Sequence, residues 1–439
     1  MSRAFLVALL SLAVWSADAH AEPLVLSEAV TAHIREIRER NPDLQDDAFA
    51  KMGGSSVEST AFLHCFATPY VDLGTHGELA AALAYFHAGP HSSFDRNSKA
   101  TGVSWNLKYV LGGRPANFRE ELGQTKARWA LILFGANDAQ NENERIYLQR
   151  LVYLIEQLES MGVVPVLGAA PPRRSVSKDR WIRRFNAITR AVAEHWSLPF
   201  IDYYSALDEL PRKGLAGDGV HPNVLHPGGL RAACQLTDQG LRYGNNVRNL
   251  LTLEMLDALR RVVDDVRNAC SADAGMCAAG TGAGTGAVSD AGAVSDAGAV
   301  SDAVSAAGAV SAAGTVSDTD ALSLPDLPFS TLVHKPSLPP LANLPARCGS
   351  PSSESRVYRQ RIALEDAARL RVSALDLDGD RPKVFWVRID EDGTERCVRR
   401  RTQTLELDVP PGMWDLIVEA SGRPESDGRM LILIDREPR

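Results

Sequence analysis

Residues able to do chemistry fall in three short strings set far apart: Gly53-Gly54-Ser55, Gly135-Ala136-Asn137-Asp138 and Asp218-Gly219-Val220-His221. A serine hydroxyl is a weak nucleophile at neutral pH, so it needs a base within hydrogen-bond reach and a third group that orients the base. His221 suits the base and Asp218 its orienter. Donors fixed where negative charge develops on a carbonyl oxygen usually contribute most to rate, and Asn137 carries such an N–H. Together these parts suit hydrolysis of an ester. Each string alone is unremarkable chemistry: Gly-Gly-Ser and Asp-Gly are common turns, and Asn137-Asp138 could cap a helix. Their joint order, spacing and placement at strand ends carry the reading.

At these residues the chain resembles the SGNH (GDSL-type) hydrolase family, over roughly residues 45 to 265. Lys51-Met52-Gly53-Gly54-Ser55 stands for the first block, Gly135-Ala136-Asn137-Asp138 for the third and Asp218-Gly219-Val220-His221 for the last. Gly54 occupies the place where the family usually has Asp, which removes local hydrogen bonding but leaves the nucleophile. The Lys51-Met52-Gly53 lead-in selects Ser55, with Ser56 as the fallback. The resemblance also implies a second block with a backbone donor to an oxyanion hole. Phe94-Asp95-Arg96-Asn97-Ser98 is expected to end a strand and run into a helix holding Gly102 and Trp105. The donor is then the amide near Ser98 or that of Gly102, and these two stay open; the amide of Ser55 would be a third.

The elements that must position these residues are legible as apolar runs alternating with amphipathic stretches. Ala48–Met52, Trp129–Phe134, Val163–Leu167 and Leu198–Asp202 are expected strands. Arg145–Ser160, Arg180–Trp196 and Asn246–Ala269 carry apolar residues at helical spacing. The fold class expected is α/β, a flavodoxin-like parallel sheet with helices on both faces, whose ligands bind beyond the strands' carboxyl ends. From Ser271 to about Ala321 the chain falls to Ala, Gly, Val, Ser, Thr and Asp, and Pro becomes frequent up to Pro345. Too little apolar bulk exists there to offset ordering entropy, so 271–345 is expected to be a disordered linker. Residues 346–439 alternate apolar and polar residues at period two. They are expected to form a small β-sandwich resembling the pre-peptidase C-terminal accessory modules of secreted hydrolases. Asp376–Asp380 resembles a calcium loop, but Val387 stands where its Glu should be, which favours a hairpin turn.

The chain has 439 residues, too many for one ordinary domain. Its formal charge of -8 argues against a nucleic-acid partner, and Arg399-Arg400-Arg401 is too short to reverse that. Arg3, the apolar run Phe5–Trp15 and Ala19-His20-Ala21 form a secretory leader over residues 1–21, with cleavage expected after Ala21. No other stretch is apolar enough to span a bilayer. The mature protein is therefore expected to be secreted or periplasmic, with cysteines oxidised. Cys65 with Cys234, Cys270 with Cys277 and Cys348 with Cys397 are the pairings expected.

The function expected is a secreted serine esterase working through an acyl-enzyme on a small-molecule or polysaccharide ester. Ser55, Asp218 and His221 are its catalytic residues, and Asn137 with Ser98 or Gly102 its oxyanion hole. No metal or cofactor is expected, and the C-terminal unit could contact a surface or glycan. The alternative, prompted by Gly54, is a catalytically silent binding protein of the same fold.

Overall fold

The computed structural model describes residues 23–87, 92–227, 232–272, 322, 329–334, 356–377, 382–390, 394–420 and 429–437. The expected leader, most of the low-complexity stretch, Cys277, Cys348 and most of the 376–380 loop lie outside these residues. Strands β1 (Gln45–Gly53), β2 (Ala127–Leu133), β3 (Val164–Gly168) and β4 (Phe200–Ile201) form a four-stranded parallel sheet in that spatial order. Every residue of β2 and of β3 is buried, as expected of parallel strands covered on both faces. The expected second strand near Phe94–Ser98 does not form. In its place Thr101 makes an isolated parallel bridge to Gly53, on the free edge of β1. Counting that bridge as a reduced strand gives the flavodoxin-like order, in which the chain reverses direction of travel across the sheet beside β1.

Helices are α1 (Glu28–Glu39), α2 (Ser55–Glu58), α3 (Ala80–Phe86), α4 (Leu107–Val110), α5 (Asn117–Thr125), α6 (Glu144–Ser160), α7 (Val176–His195), α8 (Tyr203–Asp208) and α9 (Gly244–Ala272). Leu148, Leu151, Ile155 and Leu158 of α6 are buried, as the helical spacing expects. α9 likewise buries Leu253, Leu256, Leu259 and Val263.

The C-terminal region comprises β5 (Phe329–His334), β6 (Arg356–Leu364), β7 (Ala368–Asp376), β8 (Lys383–Ile389), β9 (Glu395–Thr402), β10 (Thr404–Val409), β11 (Gly412–Ala420) and β12 (Arg429–Glu437). They make two antiparallel sheets, β10-β7-β12-β5 and β6-β11-β8-β9. One of these strands, β5, departs from the sequence reading. β5 lies inside the stretch expected to be linker, paired with β12 from Phe329–Ile434 to His334–Arg429. β9 takes up the Arg399–Arg401 run as a strand beside β8.

The sandwich also packs on the α/β part. On β12, Met430, Ile432 and Ile434 belong to the sandwich core, while Leu431 and Leu433 join Leu332 and Leu375 in the larger core with α7. At the centre of this contact the buried Arg184 guanidinium of α7 pairs with Glu144 of α6 and donates to Asp435 of β12 (3.2 Å) and Ser373 Oγ of β7 (3.2 Å). Arg371 lies over the Trp181 ring at 5.0 Å, and Ser330 donates to the Ala187 carbonyl at 2.7 Å.

Removing one partner of a buried ion pair strands the others without a counter-charge, at about 3–5 kcal/mol. Arg184→Ala is therefore expected to lower unfolding stability by about that amount, measured as a shift of the urea midpoint. A shift no larger than that of an exposed arginine variant would deny this cluster its place in the contact.

Candidate active site

β1 ends at Gly53, and Ser55 begins α2, so the serine sits on a tight turn at the carboxyl edge of the sheet. A Cβ on Gly53 would lie 2.4 Å from Val57 Cγ2, and one on Gly54 would lie 2.9 Å from Asn137 Nδ2 and 3.1 Å from the Trp105 carbonyl oxygen. A side chain at position 54 would require the Asn137 amide and the Trp105 carbonyl to shift. That is a physical reason for glycine where the resembled family has Asp: the space is filled by the Trp105 carbonyl and the Asn137 amide.

Ser55 Oγ stands 2.8 Å from His221 Nε2, and His221 Nδ1 stands 2.7 Å from Asp218 Oδ2. With Nδ1 carrying the proton, the ring donates to Asp218 and Nε2 accepts from the serine hydroxyl. Asp218 Oδ1 accepts the Val220 and His221 amides at 2.9 and 3.0 Å. The turn depends on Gly219, at φ +70°, whose Cβ would meet Arg174 at 2.8 Å. Burial opposes ionisation of Asp218, but the imidazole and amide hydrogen bonds outweigh it and hold the carboxyl at about 2. Because the folded value is depressed, the stability from these bonds is present above the usual aspartate range and is lost as pH falls through about 2.

On the other side of Ser55, Gly135 takes φ +106° after β2, a left-handed turn that glycine tolerates. Asp138 accepts the Gly135 amide at 3.2 Å and the Leu107 amide at 3.1 Å, which ties the β2 turn to α4. Burial pushes its carboxyl up to about 6 against those hydrogen bonds. Asn137 Nδ2 donates to the Trp105 carbonyl at 2.9 Å, and the residue lines a cavity of about 740 Å³ together with Ser55 and His221.

Ser98 and Gly102 do not reach that cavity. The Gly102 amide donates to the Gly53 carbonyl at 3.2 Å, and Ser98 Oγ accepts the Ala100 amide. The expected helix through Gly102 and Trp105 also begins later, at Leu107, with Asn106 as its N-cap. Ser104 lines the cavity instead, at φ +61°, with no hydrogen bond from its amide to the described residues. Its left-handed backbone turns the Ser104 amide away from the local hydrogen-bond ladder, beside the cavity that Ser55 and His221 line. Sequence reasoning missed it because a serine gives no sign of positive φ. Ser56 lines the cavity too, but the imidazole bonds Ser55, and His226 lies in the wall of an adjoining cavity.

Three devices hold the serine and histidine loops together. The Cys65–Cys234 disulfide forms as expected and joins the segments that follow each. Arg173 donates to the carbonyls of Val220 (2.9 Å) and Ala136 (3.4 Å), next to His221 and Asn137 respectively. The third is the polar face of the first turns of α9. Asn245 donates to Pro222 (2.8 Å), Asn249 bonds Ala61, Leu63 and Ala233, and Arg248 donates to the Ser56 carbonyl at 3.1 Å. Arg248 is fully buried against the Phe62 and Tyr203 rings, with Nε and Nη2 unpartnered. Burial lowers its pKa to about 10, so it remains charged at neutral pH.

A buried cation without a carboxylate is costly to stability, so its presence beside the helix that begins at Ser55 points to positioning. Arg248→Met is expected to leave the thermal midpoint unchanged or raised while slowing fluorophosphonate labelling of Ser55 roughly tenfold. A lowered midpoint with normal labelling would make Arg248 a purely structural residue.

The model of the GDSL-like Lipase/Acylhydrolase family matches residues 72–225, a span that holds Asn137, Asp218 and His221 and begins after Ser55. Solved structures similar to this chain include a GDSL-like lipase from Bacteroides thetaiotaomicron, 16% identical, covering 52% of this chain and 98% of that one at a TM-score of 0.32. An acetylxylan esterase from Geobacillus stearothermophilus is 16% identical and covers 48% of this chain and 93% of that one, also at 0.32. No curated protein matches the chain. Over residues 72–225, then, the α/β part of this chain is similar to the GDSL-like lipase/acylhydrolase family.

Proposed function

We propose that the protein is an exported serine esterase in which Ser55, His221 and Asp218 act as nucleophile, base and orienter. The observation that carries this reading is the continuous row from Ser55 Oγ through the imidazole to Asp218, with contacts of 2.8 and 2.7 Å. Ser55 Oγ attacks the acyl carbon as its proton passes to His221 Nε2. The carbonyl oxygen becomes an anion that accepts hydrogen bonds from Asn137 Nδ2 and the Ser104 amide, with the Ser55 amide as a third donor. Collapse breaks the ester bond, and the imidazolium gives its proton to the departing alcohol. Water, deprotonated by His221, then releases the acid from Ser55. The leader sequence and the Cys65–Cys234 disulfide support export. A carbohydrate ester, deacylated outside the cell, fits an exported enzyme with an open cleft.

The silent-binder alternative rested on Gly54, and the close approach of Trp105 and Asn137 accounts for that glycine. Wild-type protein should be labelled at Ser55 by a fluorophosphonate probe and should hydrolyse nitrophenyl acetate, both abolished in Ser55→Ala. Unlabelled wild type would sink the esterase reading.

A second expectation runs against the family pattern. Gly54→Asp would force the Trp105 carbonyl and Asn137 apart and lower kcat on nitrophenyl acetate by about a hundredfold, the scale of a misplaced oxyanion donor. Unchanged or improved turnover would show that the turn accommodates the carboxylate.

A further inference from the structure

Two cavities flank the Ser55–His221 pair, of about 740 and 590 Å³, and both include Ser55, Ser56 and His221 in their walls. Their charged side chains are one-sided. Arg173, Arg174, Lys178 and Arg212 line them, and the acid there is Asp218, which is spent on His221. The chain as a whole has the opposite sign, at -8. Composition alone would not put a cluster of cations at this one place.

The charge of these groups is only partly neutralised: Asp218 and Asp179 both favour the Arg173 cation. Arg173 and Arg174 donate to backbone carbonyls, those of Val220 and Ala136 for the first and of Gly217 and Ala216 for the second. Such bonds fix the guanidinium but leave its net charge. Among the described residues Lys178 pairs with Glu142, 3.7 Å away, with both side chains about half exposed, a geometry worth little in water. Asp179, behind the rim, accepts the Arg173 amide at 2.7 Å and is bonded to the Tyr204 hydroxyl and to Lys213 Nζ, so its charge is shared between Arg173 and Lys213. Arg212 is exposed in the wall of the smaller cavity and holds φ +55°, followed by Lys213 at +58°. Consecutive left-handed non-glycine residues are strained and persist where the surroundings impose them. The larger cavity's floor, by contrast, is apolar, with Leu133, Phe134 and Ile182.

We propose that the ester hydrolysed here carries fixed negative charge: a small apolar acyl group for the floor, joined to an acidic saccharide whose carboxylates lie along the cationic rim. A cleft lined by one sign of charge with low-dielectric walls concentrates the opposite ion and accelerates its encounter, and salt weakens the effect. This inference rests on the esterase reading and adds the class of its substrate.

The test compares kcat/KM of the full-length enzyme on an acetylated polyuronate oligosaccharide and on an acetylated neutral oligosaccharide, with nitrophenyl acetate as the uncharged reference. At low salt the acidic ester is expected to be favoured by about tenfold or more, and the preference should shrink as salt rises to about 0.5 M. In the double variant K178Q/R212Q the acidic-to-neutral ratio should fall several-fold. Hydrolysis of nitrophenyl acetate with an acidic-to-neutral ratio near one, insensitive to salt, would overturn the proposal and leave the esterase intact. Failure to hydrolyse any of the three esters would overturn the esterase reading and this inference with it.

Discussion

A hydrogen bond of 2.8 Å between residues 55 and 221 joins two loops that reach the same edge of the sheet from different directions. The serine follows the first strand directly. The histidine arrives after the last strand, on a long irregular segment with no strand of its own to fix it. Loops of that kind have little intrinsic order, and ordering a residue costs about 1–2 kcal/mol in conformational entropy. The contact therefore depends on whatever pins residues 216–235 to the α2 turn. α9 provides the pins from one rigid rod: Asn245 takes the histidine loop, Arg248 the α2 helix, and Asn249 both the 61–63 turn and the Cys234 segment. The disulfide closes the same seam covalently.

α9 shows why buried polar groups at a functional site can be stabilising and costly at once. The asparagines satisfy backbone groups that would otherwise be buried without partners, a contribution of about 1–3 kcal/mol each when broken. Arg248 gives up part of that gain, because a wholly buried guanidinium faces aromatic rings rather than an acid. Stability alone would favour an apolar side chain there. Retention of the cation beside the Ser56 carbonyl is consistent with a site that sacrifices stability for geometry.

Local pattern carried much of this into the sequence. The glycine turns at 53–55 and 135, and the Asp218–His221 spacing, each sit where a strand edge or a tight turn requires them, and the buried runs 129–133 and 164–168 have the continuous apolar character of covered parallel strands. What stayed hidden depends on long-range contacts. Ser104 makes its left-handed turn between the Thr101 bridge and the Asn106 cap, and no residue type in Gly102–Trp105 announces it. The edge strand at 329–334 is framed by proline and small residues and is a strand only because β12 pairs with it. One signal was available. Met430–Ile434 is apolar at every position, whereas a strand in a free-standing sandwich should alternate with polar residues on its outer face. Five consecutive apolar residues imply two buried faces, and the second is covered by α7.

That second face connects the sandwich to the cleft. α7 turns Lys178 and Ile182 toward the larger cavity, while Arg184 and the Ala187 carbonyl hold the sheet of β5, β7 and β12. Side chains on neighbouring turns of a helix cannot shift independently, because its backbone is a single hydrogen-bonded rod. Anything that moves the sandwich against Arg184 must also displace the wall that carries Lys178. The cationic rim is therefore positioned partly from residues more than two hundred positions downstream, such as Asp435, which bonds Arg184 directly. A β-sandwich in that position acts on the candidate site as a buttress of its wall, through packing, the buried Arg184 and the Ser330 hydrogen bond, with no side chain among the described residues of the sandwich in the cavity lining.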